Sequence, residues 1–84
     1  MELYTSGEAD LLIKFYTEVA IGRPIKTGSE SKIIKIRKDL AGDRYRVNAI
    51  SVLNGVSFKR SIATVAKELN IQLPNYVLNG HSQS

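Results

Sequence analysis

The stretch from Arg44 to Ser61 constrains the fold more than any other part of the chain. Tyr45, Val47 and Ala49 alternate with Arg44, Arg46 and Asn48, which is the period of a strand with one side buried and one side in water. Asn54-Gly55 follows, and both residues accept the positive φ that a two-residue type I′ hairpin turn demands. A returning strand over 56–61 is therefore expected, with Val56 and Phe58 toward the core and Ser57, Lys59 and Ser61 outward. Ahead of the turn, Ile50-Ser51-Val52-Leu53 is apolar on the opposite phase, which predicts a bulge there or a segment buried on both sides.

A further strand is predicted upstream, from Lys32, because Ile34 and Ile36 alternate with Lys35 and Arg37. A helix over 29–40 competes, since Ile33, Ile36 and Leu40 are also spaced by three and four. The β-branched run weighs against it. Ala41-Gly42-Asp43 supplies the turn between the two strands. Near the start, Thr5 and Glu8 have capping-box spacing, and Leu11, Leu12, Phe15, Tyr16 and Val19 recur at helical intervals, predicting a helix over 6–21. Gly22 and Pro24 stop it, leaving a loop over 22–31. Ile62, Val65, Ala66 and Leu69 mark one side of a short helix over 62–70, ending near Asn70 and before Pro74, and Tyr76-Val77-Leu78 is expected to pack back on the core. The expected fold is a small single α+β domain over 1–80, αβββα in order, with both helices on one face of the sheet because the other face carries charge. His81 to Ser84 form a polar tail.

Composition narrows the function. At 84 residues the chain allows one domain, and a chain of this size buries only about 60–65% of its unfolded surface, which leaves little room for an enclosed active site. There is no cysteine, so disulfides, thiol nucleophiles and Cys-ligated zinc are excluded. The single histidine, His81, has no second His or Cys to share a metal, and no metal or cofactor is expected. Gly-rich phosphate loops, nucleophile elbows and helical His/Glu pairs are absent, and the expectation is a protein that is not an enzyme. No apolar run approaches the roughly 20 residues of a membrane span. The first positive charge, Lys14, comes too late for a secretion signal, so an intracellular location is expected, in cytoplasm or nucleus or nucleoid.

Charge points to a partner. The formal net charge is +4, and its excess lies in one third of the chain: residues 31–60 hold eight bases and two acids, whereas residues 1–30 hold three bases and five acids. If the strands form, Lys35, Arg37, Arg44, Arg46, Asn48 and Lys59 share the outward face, with Lys38 and Arg60 close by in the turn and third-strand regions. Such a face brings several cations within reach of a phosphate backbone, with counterion release supplying affinity. Arginine could read guanine edges and Asn48 adenine in a major groove. The bland alternative is a solvated face whose charges guard the sheet against aggregation. Tyr45 and Phe58 fall on the apolar side, which argues against an aromatic platform for single-stranded bases and favours a duplex ligand. Val65 to Ile71 resembles the first half of a helix-turn-helix, but Pro74 follows too soon for a recognition helix.

Over residues 8–72 the element order resembles the double-stranded-RNA-binding domain. The local likeness lies in Leu12, Phe15 and Tyr16 of the opening helix, the Pro after it, and Arg44-Tyr45-Arg46-Val47 opening the second strand. Where that family carries a lysine cluster, at the start of its second helix, stands Ile62-Ala63-Thr64-Val65. Ala41-Gly42-Asp43 stands in place of its loop histidine. Residues 32–70 are similar also to three-stranded sheet DNA readers of the AP2 and integrase arm-binding type, which lay a basic sheet face in the major groove. These resemblances imply binding of double-stranded RNA or DNA. The alternative is a degenerate module of the same fold used for protein contact or homodimerisation, through an apolar edge at Ile50/Val52 or through Tyr76-Val77-Leu78.

Overall fold

The computed structural model describes residues 3–25 and 31–73. Helix α1, Ser6–Ala20, begins at the expected capping box: Thr5 Oγ1 accepts from the Glu8 backbone N–H at 3.2 Å, and Glu8 Oε1 accepts from the Thr5 N–H at 2.8 Å. Its buried stripe is Ala9, Leu12, Tyr16 and Ala20, while Leu11, expected inward, is exposed. Strands β1 (Lys32–Ala41), β2 (Arg44–Leu53) and β3 (Val56–Ser61) form an open antiparallel sheet with β2 in the middle, and helix α2 (Ile62–Leu69) follows without a linker. The expected α+β order is the observed one.

Local chemistry sets the connections. Asn54 and Gly55 both have positive φ, 53° and 79°, as a type I′ turn requires. In the first hairpin Gly42 alone has positive φ, 70°, and the two-residue turn between paired Ala41 and Arg44 is of the II′ kind. Ser61 closes β3 and caps α2, its hydroxyl accepting from the Thr64 N–H at 3.3 Å. Asn70 ends α2 in the left-handed conformation, with the Ile71 N–H bonded back to the Ala66 carbonyl at 2.9 Å.

Register decides which side chains face which way. Ile33 pairs with Ser51, but the next rung joins Lys35 to Ile50, so Ile34 is an extra residue in β1. Ile33 and Ile36 therefore both enter the core, and Ile34 is 57% exposed. This corrects the expectation that Ile34 and Ile36 form the inward pair. It also moves the expected irregularity: the bulge lies in β1, whereas β2 runs in phase through Leu53, with small Ser51 buried inward and Ile50 and Val52 on the outward phase. Those two residues belong to the central strand and not to an apolar edge.

Both helices lie on the inward side. Lys38, opposite Val47, bonds to α1, and Arg60, opposite Ala49, pairs with Glu68 of α2. Helix α1 covers β1 and β2, α2 covers β2 and β3, and the buried residues of both helices join one core cluster. Short α2 reaches Arg60 yet leaves Val56 and Phe58, expected in the core, 55% and 43% exposed. Two further segments patch the sheet edges. Tyr4 and Tyr45 exchange backbone bonds of 2.8 Å each beside β2, and Ile33 bonds to Gly22 and Arg23 beside β1. Among the described residues no helix is long and apolar enough to cross a membrane. Tyr76-Val77-Leu78 and the tail from His81 lie outside the described residues.

Candidate functional site

The outward phase of the sheet collects cations from all three strands. Lys35 pairs across to Ile50 and on to Lys59, Arg37 to Asn48 and on to Ser61, Asp39 to Arg46, and Ala41 to Arg44. Paired residues share a face, and their strands are about 4.8 Å apart. Lys35, Arg37, Arg44, Arg46 and Lys59, expected outward, are thus neighbours on the side opposite the helices, and all are exposed. Lys32, paired with Val52, joins them. The bulge shifts its phase, and the adjacent β-branched residues Ile33 and Ile34 were the available signal for it.

Two residues expected at the site are not on this face. Lys38 Nζ donates to Ser6 Oγ and Asp10 Oδ1, each at 2.9 Å, and sits 4.9 Å from the Tyr45 ring centre, so its charge ties β1 to α1. Arg60 Nη1 lies 3.5 Å from Glu68 Oε1 and ties β3 to α2. The reason is phase: both stand on inward positions at the margins of the core, where a long side chain can bury its stem and reach a carboxylate.

Asn48 is on the outward phase as expected, but it is only 6% exposed and its Nδ2 donates to Asp39 Oδ2 at 2.7 Å. Asp39 also lies 3.4 Å from Arg37 Nε and 3.9 Å from Lys59 Nζ. It is the one acid in the three strands, and it stands among the cations. Its ion pairs are solvent-exposed and each contributes about 0–1 kcal/mol. Their effect is geometric, because they hold Arg37 and Lys59 toward a common point. The alternation of Arg37 and Asp39 on one strand face was the signal for this arrangement.

At one corner the face meets a cleft of about 320 Å³ lined by Tyr4, Arg46, Val47, Asn48, Ser61, Ile62 and Ala63. It arises where β3 gives way to α2 at Ser61 while Tyr4 bridges β2 only at Tyr45. Tyr45 and Phe58 both occupy the helix side, so neither offers a stacking surface among the cations. Among the described residues no group of three His, Cys, Asp or Glu side chains could hold a metal ion. Comparison with protein-family models, with curated proteins and with solved structures finds no match to this chain.

Proposed function

We propose that this chain is a non-enzymatic nucleic-acid-binding module that grips the phosphates of a duplex with the outward face of its sheet. One observation carries the reading: the strand register gathers Lys32, Lys35, Arg37, Arg44, Arg46 and Lys59 on a single face that neither helix covers. Three strands are roughly 10 Å across, a width that a major groove of about 12 Å admits. The likeness to the double-stranded-RNA-binding domain lies in element order. The cations, however, lie on the sheet and not at the start of α2, which favours the manner of the three-stranded sheet readers. Asn48, held by Asp39, supports this surface from within and is not a base reader.

The test is a salt titration of binding to duplex and single-stranded DNA and RNA. With about five phosphate contacts, log K against log salt on duplex DNA is expected to fall with a slope of about −4 to −5. Absence of binding to all four forms at tens of micromolar in low salt overturns the reading.

The alternative of protein contact or self-association is favoured by one observation, the exposure of Val56 and Phe58 next to each other on edge strand β3. Sedimentation that reports a concentration-independent monomer counts against self-association.

A further inference from the structure

We infer that the corner cleft takes one unpaired nucleobase, so that the chain prefers a nucleic acid with an unpaired nucleotide over an unbroken duplex. This rests on the phosphate-binding reading of the sheet face and adds a feature of the ligand that the face alone does not specify.

The cleft is a notch in the sheet. Beside β2, Tyr4 is bonded at Tyr45 and Ser61 is paired at Asn48, so the two neighbours stand three residues apart, roughly 10 Å along a strand. At about 320 Å³ the space lies at the small end of ligand pockets, a size for one nucleoside and not for a base pair. Its walls divide as a base divides. Val47, Ile62, Ala63 and the buried Tyr4 give apolar surface for the flat faces, and Arg46, exposed on the sheet face, stands among the lining residues on the polar side.

The cleft is also continuous with the phosphate track, because Arg46 and Asn48 belong to both. A nucleotide whose phosphates lie on the face can therefore place its own base in the notch without leaving the surface. Bases inside a duplex are stacked and cannot enter, whereas an unpaired one turns out at small cost. The apolar walls argue for a base over a phosphate as the group received.

The experiment compares the full chain on an unbroken duplex and on the same duplex with one bulged 2-aminopurine, as DNA and as RNA, in low salt. The bulged form is expected to bind about tenfold more tightly in at least one series, with a change in 2-aminopurine emission on binding. Ala63→Leu, at an exposed helix position where leucine is a good helix former, fills the cleft and is expected to abolish the preference while affinity for the unbroken duplex is unchanged. Equal affinity of the unaltered chain for both forms overturns the base site and leaves the phosphate reading standing, as does an undiminished preference in Ala63→Leu. Failure to bind either form overturns both.

Discussion

Asn48 Nδ2 and Asp39 Oδ2 meet at 2.7 Å across the β1–β2 pair, and this bond joins a buried amide to the one carboxylate of the cationic sheet face. Asp39 is both a structural acceptor and an internal competitor for any anion that approaches Arg37 and Lys59. The two roles separate by substitution. Asp39→Ala leaves the Asn48 amide without its acceptor and is expected to cost about 1–3 kcal/mol in urea unfolding. Asp39→Asn keeps an acceptor and removes the negative charge, and it is expected to strengthen duplex binding more than Asp43→Asn, which makes the same charge change in the turn. Equal gains from the two variants would show that Asp39 acts only through net charge.

Placement on the sheet predicts which cations matter. Lys35→Glu and Lys59→Glu are each expected to weaken binding on every duplex sequence and to reduce the salt slope by about 1. Lys14→Glu alters the exposed surface of α1, on the other side of the molecule, and is expected to change the slope little. Lys38→Gln breaks the link to Ser6 and Asp10, so the expected cost is stability, under about 1 kcal/mol, with the slope preserved. Salt titrations of the four variants side by side make the comparison.

The start of α1 depends on its reciprocal cap. Thr5→Ala removes the acceptor for the Glu8 N–H and is expected to lower stability by about 1 kcal/mol, read as a shift of the urea midpoint with an unchanged m-value.

At Gly55 the backbone φ is 79°, in a region that Cβ sterics disfavour. Gly55→Ala is expected to cost about 1–2 kcal/mol, although an added methyl would meet no neighbour within 4 Å. A neutral result in thermal unfolding would mean that the hairpin accepts another turn type.

Element order and most of the cationic face were legible in the residues because their signals are local. Thr5 with Glu8, Asn54 with Gly55, and the alternation from Arg44 to Ala49 each act within a few positions, and each produced the element it implies. What escaped depends on contacts between segments. The extra residue Ile34 is settled by how β1 pairs with β2, and neither Ile33 nor Ile34 alone announces which one leaves the core. The exposure of Val56 and Phe58 reflects how far α2 extends over β3, and the capture of Lys38 and Arg60 by Asp10 and Glu68 reflects helix placement. Asp39 joined the face for a related reason: a lone acid near a turn becomes the partner of Arg37, Asn48 and Lys59 only once three strands are side by side.

Helix α1 packs on β1 and β2, and α2 on β2 and β3, so β2 is the strand that both helices share. The short α2 and six-residue β3 make the smaller of the two flanks, and they are suited to open together as one cooperative unit while α1, β1 and β2 stay closed. Lys59 travels with that flank and Arg37 remains behind, so partial opening would part the cationic face along a single seam. Amide exchange across β3, slowed by a bound polyanion, would be the trace of that seam being held shut.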